Sequence, residues 1–172
     1  MHKLEVYYLA NRTENLYFAL LGDCTSSKNE KESFDDQVIS AGIEESKKLN
    51  EKYGNKFFFL YRNRTWNNGE KCFLGWERKR GLLCQFNEFL IDGENKFNTN
   101  TLQETNIREK IKYVITLDSD TNLVLDSAGD LIGAMAHILN KPQISEKNII
   151  KSGHALIQPR VGVDLESSRQ SL

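Results

Sequence analysis

The stretch Lys112-Tyr113-Val114-Ile115-Thr116-Leu117 followed by Asp118-Ser119-Asp120 most constrains what this chain can fold into. A short β-branched apolar run with no alternation reads as a parallel strand buried on both faces. Its abrupt end in two carboxylates puts acids at the carboxyl rim of a sheet, where open α/β folds hold ligands. An Asp-x-Asp there offers hard oxygen ligands to a divalent cation, which commonly bridges to phosphate groups. On this reading Asp118 faces a nucleotide's sugar and Asp120 binds the metal, with Asp118 as its companion ligand.

The rest of the chain supplies the other layers of such a fold. Residues 1–10, with Leu4, Tyr7 and Tyr8, read as the last turns of a helix. Leu16–Gly22 is a compact apolar strand that ends at Asp23, and Thr25–Asp36 is a polar loop. Ser33 and Asp36 form a capping-box-like start. Val38, Ile39, Ile43, Ser46, Leu49 and Tyr53 then keep one helical face, and Gly54 is the stop. Phe57–Tyr61 is a second strand and Asn63–Lys71 a polar loop.

Gly75-Trp76-Glu77-Arg78-Lys79-Arg80-Gly81 leads into a helix that carries Leu82, Leu83, Phe86, Phe89 and Leu90 on one side and ends at Gly93. Residues 94–108 form a polar connection before the Lys112–Leu117 strand. Ser127–Leu139 has helical spacing and is broken by Asn140-Lys141-Pro142. Ala155–Val163 is a last strand, kinked or at an edge because of Pro159. Alternating strands and helices predict an α/β fold with right-handed crossovers and a mostly parallel sheet.

Composition narrows the function. Lys plus Arg (23) nearly balance Asp plus Glu (24), so no global field recruits nucleic acid or an acidic membrane surface. Three scattered cysteines (Cys24, Cys72, Cys84) and three dispersed histidines (His2, His137, His154) offer neither a disulfide framework nor a zinc site. The cysteine usage fits a reducing compartment. No run reaches the roughly 18–20 apolar residues of a membrane span.

The acids around Ser119 also fit two other motifs. Asp118-x-Asp120-x-Asn122 matches the front of an EF-hand loop, but Leu123 and Gly129 stand where that loop needs glycine and glutamate. A phosphotransferase of the haloacid dehalogenase type would use Asp118 as nucleophile and Asp120 as acid/base. It also requires a lysine and further acids on later strands, and about fifty residues remain.

Two more clusters bear on chemistry. Cations at Arg78, Lys79 and Arg80 stand at the positive end of a helix, where each is locally unfavourable by roughly 0.3–1 kcal/mol. That placement suggests a nearby anion, held jointly by free N–H groups and basic side chains. Asp23, at a strand end, can accept a hydrogen bond from a base N–H or a ribose hydroxyl. On one rim, Asp23, the basic helix start and the Asp118–Asp120 pair make a sugar-nucleotide pocket. A metal in it would neutralise the charge on a departing diphosphate.

These stretches resemble family-2-like glycosyltransferases of the GT-A fold and, more narrowly, the glycosyltransferase region of cyclic β-1,2-glucan synthases. The residues that carry the resemblance are Leu9-Ala10-Asn11, Phe18–Asp23, Gly75–Gly81 with Asn87, Tyr113–Asp120 and Gln158–Val163. It implies a three-layer α/β fold of GT-A type over residues 1–172, incomplete because the first nucleotide-binding strand and the acceptor-side part lie outside the chain.

The resemblance also implies a UDP-glucose donor, a glucan acceptor, Mg²⁺ or Mn²⁺, and an inverting transfer that builds β-1,2-glucan. Asp23, Lys79, Arg80 and Asp118 would then bind the donor, and Asp118 and Asp120 the metal. The general base is expected outside the chain, since Asp164 and Glu166 lie in no recognisable base motif. The chain would belong to a larger membrane-embedded polypeptide and face the cytoplasmic side of the bacterial inner membrane. An exposed sheet edge in the isolated piece makes self-association an expectation. A non-catalytic nucleotide-binding or scaffold module and the phosphotransferase remain the alternatives.

Overall fold

The computed structural model describes residues 1–162, which fall into two units, Met1–Thr116 and the described residues from Leu117 onward. In the first unit two five-residue strands, β1 (Phe18–Gly22) and β2 (Phe57–Tyr61), pair in parallel with Phe18 opposite Phe57 and Gly22 opposite Tyr61. All five residues of β2 are buried. Such a strand must be covered on both faces, and its alternate side chains serve two different layers.

Phe58 and Leu60 enter a core with Leu82, Phe86, Phe89, Phe97 and Leu102. Three of those residues belong to a helix over Arg78–Asp92. On the opposite face the helix α1 (His2–Ala10) sends Tyr8 against Phe18, Tyr53 and Phe57. The helix α2 (Asp35–Tyr53) lies over Phe59 on that same face. Its contact is close because Gly42 has no side chain, and a Cβ there would stand 2.5 Å from two Phe59 ring atoms.

Polar side chains fix the ends of α2. Asn50 Oδ1 accepts from the amides of Lys56 and Phe57, at 2.9 and 2.8 Å, and Asn50 Nδ2 donates to Phe57 O at 2.8 Å. The helix stops at Gly54 (φ 79°), as its glycine predicts. It begins differently from the expected capping box: Ser33 makes no cap, and Asp35 receives the Glu32 amide at 2.8 Å. Val38 and Ile43, expected on the inner face, are exposed; Asp35, Gly42, Ser46 and Leu49 are the buried ones.

The expected loop after β2 is a hairpin, β3 (Thr65–Asn67) with β4 (Cys72–Leu74), joined across the strands by the Trp66–Phe73 ring pair. The helix α3 (Arg78–Asp92) follows and ends at Gly93. The polar connection after it contributes β5 (Thr99–Asn100), antiparallel to the end of β2, so the sheet order is β1-β2-β5.

Two expected strands are corrected. Residues 112–117 form no strand, and Tyr113, Val114 and Leu117 are 43%, 44% and 36% exposed, so the run is not a buried strand. The physical reason lies in β2. One edge of β2 is paired with β1, and the other is taken by β5 and Thr101, whose N–H donates to Phe59 O at 3.1 Å. The run therefore finds no free edge on that strand. Residues 155–162 are likewise not a strand, and Val163 lies outside the described residues, as do Asp164 and Glu166.

In the second unit the helix α4 (Ser127–Ala136) ends three residues earlier than its spacing predicts, and one 3₁₀ turn, Ile138–Asn140, follows it. A small unforeseen hairpin, β6 (Gln143–Ile144) with β7 (Ile150–Ser152), comes after Pro142.

Candidate functional site

The carboxyl ends of the parallel pair β1–β2 deliver Asp23 and Arg62 side by side. Arg62 is 2% exposed although it sits one residue beyond the strand. Its Nε donates to Asp23 Oδ1 at 2.8 Å and its Nη2 to Asp23 Oδ2 at 2.7 Å, a planar two-point pairing. The same guanidinium donates to Trp76 O at 2.8 Å, to Gln85 Oε1 at 3.3 Å and to Arg78 O at 2.5 Å. One buried cation thus ties the end of β1, the end of β2 and the start of α3 together. Its geometry explains Gly75, where any Cβ would collide with Asp23 Oδ1 and with both Nε and Nη2 of Arg62.

The basic block takes shape around this anchor. Glu77 and Arg78 both have positive φ (51° and 49°), an unusual conformation for residues with side chains, and it costs energy unless the surroundings enforce it. Gly81 allows that turn, since a Cβ there would collide with Trp76 O. Lys79 and Arg80 project from the first turn of α3 and are exposed. Arg80 pairs with Glu77 at 2.9 Å, and Arg78 with Glu70 at 2.6 Å. The structure therefore joins Asp23 to the backbone of the Gly75–Arg78 turn, and the side chains of Lys79 and Arg80 face solvent.

A second buried pair lies two residues further along. Arg64 Nη1 donates to Asp35 Oδ2 and Arg64 Nε to Thr25 O at 2.7 Å, with side-chain exposures of 2% and 7% for Arg64 and Asp35. The bond from Arg64 holds the Asp35 carboxyl below its ordinary range, and the same bond raises Arg64. Asp35 Oδ1 and Arg64 Nη2 are buried with no hydrogen-bond partner. Burial pushes the Cys24 thiol and the Tyr61 hydroxyl up, so both stay neutral at physiological pH.

Both arginines line a cleft of about 380 Å³ at this rim, together with Cys24, Asp35, Tyr61 and Asn63. That is the end of a parallel pair at which α/β sheets take ligands, and the volume falls in the range of small-molecule sites. Arg62, Arg64 and Asp35 were missed by sequence reasoning. The available signal was Arg-Asn-Arg directly after an all-apolar strand, where a charge that close to the core requires a partner.

Asp118 and Asp120 belong to the second unit and are exposed in a turn closed by the Thr121 amide donating to Asp118 O at 3.1 Å. Two carboxylates with hard oxygens suit Mg²⁺ or Mn²⁺, whose other positions a diphosphate and water would fill. Among the described residues no group of three or more His, Cys, Asp or Glu side chains is placed to hold a metal ion. No helix among the described residues is long and apolar enough to cross a membrane.

The first unit is thus a mixed α/β unit whose parallel strand pair ends beside a cleft lined by two buried arginines. Over 99% of its length the chain is similar, at 37% identity across 177 aligned positions, to a region of the cyclic beta-(1,2)-glucan synthase NdvB of Rhizobium meliloti (strain 1021). It spans 6% of that protein's length. The resemblance read from the Gly75–Gly81 block and its companions is thereby shown for a region of such a synthase. No protein-family model matches the chain.

Proposed function

We propose that this chain is the donor-binding part of a metal-dependent, inverting glucosyltransferase that uses UDP-glucose to build β-1,2-glucan. The observation that carries the reading is the 37% identity over 99% of the chain to a region of a cyclic β-(1,2)-glucan synthase. The carboxyl ends of β1 and β2 support it, because Asp23 and the turn before α3 are joined there by Arg62, which also lines the cleft. In this reading Asp23 accepts a hydrogen bond from the uracil base and Lys79 and Arg80 approach the diphosphate. Asp118 serves the ribose and, with Asp120, would hold Mg²⁺ or Mn²⁺. Such a metal supplies Lewis-acid stabilisation of the leaving diphosphate.

The sheet is read as part of a three-layer GT-A fold. Helices on both faces of β2 are in keeping with it, as is β1, which ends the sheet with one edge unpaired by any strand among the described residues. A further strand from the larger polypeptide would lie along that edge. The whole enzyme would work at the cytoplasmic side of the bacterial inner membrane, and the isolated chain would bind UDP without transferring glucose.

The test is a titration of the 172-residue chain with UDP, with and without Mn²⁺, followed by nuclear magnetic resonance. Metal-dependent binding that disappears in Asp120→Ala is the expected result. Binding indifferent to metal and to Asp120→Ala would remove the metal assignment. Absence of any UDP binding would favour the scaffold reading.

A further inference from the structure

Asp23 stands at the carboxyl end of β1 with its side chain 28% exposed, yet most of its acceptor capacity is already used. An ionised carboxylate offers about four lone-pair sites. Oδ1 takes Arg62 Nε at 2.8 Å and the Cys24 amide at 2.9 Å, with the Cys24 thiol at 3.8 Å beside it. Oδ2 takes Arg62 Nη2 at 2.7 Å alone. One acceptor site therefore remains, on Oδ2, and its direction is set by the plane of the Arg62 guanidinium. Arg62 in turn is held in place, because Trp76 O, Arg78 O and Gln85 Oε1 occupy its remaining donors, and Gly75 lies so near the pair that any Cβ there would collide with it.

We propose that Arg62 is the positioning residue for nucleobase selection: it leaves Asp23 one fixed acceptor, on Oδ2, that admits a base presenting a ring N–H. This deepens the donor-binding reading and rests on it. A pyrimidine with a protonated ring nitrogen, as in uracil, fits that single acceptor. Cytosine presents a lone pair at the same ring position and meets the carboxylate with repulsion. Freed from Arg62, the carboxylate would turn and accept from the cytosine amino group or a sugar hydroxyl, so selectivity would fall further than affinity. Arg62 also holds the Trp76 and Arg78 carbonyls, so the frame that aims Asp23 fixes the first turn of α3 as well.

The experiment compares UDP with CDP on the 172-residue chain in the presence of Mn²⁺, for the native protein and for Arg62→Met, Arg62→Lys and Gly75→Ala. Gly75→Ala keeps the arginine and displaces the ion pair with a single methyl group, so it provides the readout if Arg62→Met does not fold. One hydrogen bond to a charged group is worth about tenfold or more in affinity, so the native protein is expected to prefer UDP by at least about that factor. The preference should collapse toward unity in Arg62→Met and Gly75→Ala, with partial retention in Arg62→Lys. Asp23→Asn should cost native selectivity heavily and cost nothing further in the Arg62→Met background.

A purely structural role would weaken both nucleotides alike and leave their ratio intact, and that result overturns the inference while sparing the donor-binding reading. A native chain that binds neither nucleotide overturns the donor-binding reading itself. A native chain that binds both equally sinks the selection role alone.

Discussion

The sharpest consequence of the packing concerns one substitution placed at two sites. Gly→Ala in a helix interior normally stabilises by about 0.5–1 kcal/mol, because alanine restricts the unfolded chain. At Gly42 in α2 the sign should reverse. A Cβ there stands 2.5 Å from Phe59 Cε1 and Cζ and 2.7 Å from Cδ1, whereas carbons rest at about 3.5–4.0 Å. The ring has no retreat: Phe59 is 3% exposed, stacks against Tyr61, and has Gly22 on its far side, where even a Cβ would come to 3.4 Å. The upper part of the overpacking range, about 3 kcal/mol, is therefore expected, and the helical gain of about 1 kcal/mol leaves a net loss near 2 kcal/mol.

At Gly133 in α4 a Cβ meets nothing within 4 Å, so Gly133→Ala should gain about 0.7 kcal/mol. Hydrogen exchange resolved by element reads each unit separately. Amides of α2 and β2 should exchange about thirtyfold faster in Gly42→Ala, and those of α4 about threefold slower in Gly133→Ala. Unchanged or slower exchange of α2 in Gly42→Ala would refute the claim that Phe59 is locked between two glycines.

Removing Arg64 leaves the Asp35 carboxylate buried and unpaired, so Arg64→Met should cost about 3–5 kcal/mol in denaturant unfolding. Because Arg64 depresses the Asp35 carboxyl, the unfolded chain binds the proton more readily. The contribution of the pair is complete above the ordinary value of 3.8 and is lost as pH falls through the lower, folded value. The stability gap between the native protein and Asp35→Asn should accordingly be wide at neutral pH and narrow well below 3.8. Gly81→Ala drives a methyl into Trp76 O and should cost about 3 kcal/mol, with loss of α3 helicity in circular dichroism. The β1 edge that no strand among the described residues pairs carries no charge, proline or bulge, so the chain should self-associate in sedimentation and Leu20→Lys should suppress it. Extending the chain upstream with the segment that precedes the matched region in the Rhizobium synthase should slow hydrogen exchange of residues 113–117; unchanged exchange there would argue against a shared strand partner.

Where local composition and burial agree, the sequence sufficed to find the elements. Phe57–Tyr61 is apolar at every position, so burial on both faces followed directly, and Gly54 and Gly93 stop their helices as a glycine with positive φ should. The site was half legible. Asp23 and the Gly75–Gly81 block were visible as candidates, but the residue that joins them was not, since Arg62 looks like an ordinary loop cation until the fold buries it. The role of Gly75 was equally hidden, because a close approach between side chains 39 positions apart leaves no local mark. The failure at Lys112–Leu117 has a different origin. A strand pattern states what a segment can do, and pairing requires a free edge within reach; both edges of β2 are already taken.

That distinction connects two features of the first unit. The strand β1 has one edge unpaired by any strand among the described residues, and the run 112–116 has strand composition with half-exposed Tyr113 and Val114. An uncharged edge and an apolar run open to water are each unfavourable, and burying the exposed remainder of Val114 is worth about 1 kcal/mol. A single inserted strand with two free edges would satisfy both, lying beside β1 on one side and 112–116 on the other. In that arrangement Asp118 would follow a true strand end. The metal-binding proposal is therefore coupled to the pairing of 112–116 as a strand, and hydrogen exchange of that run reads both together.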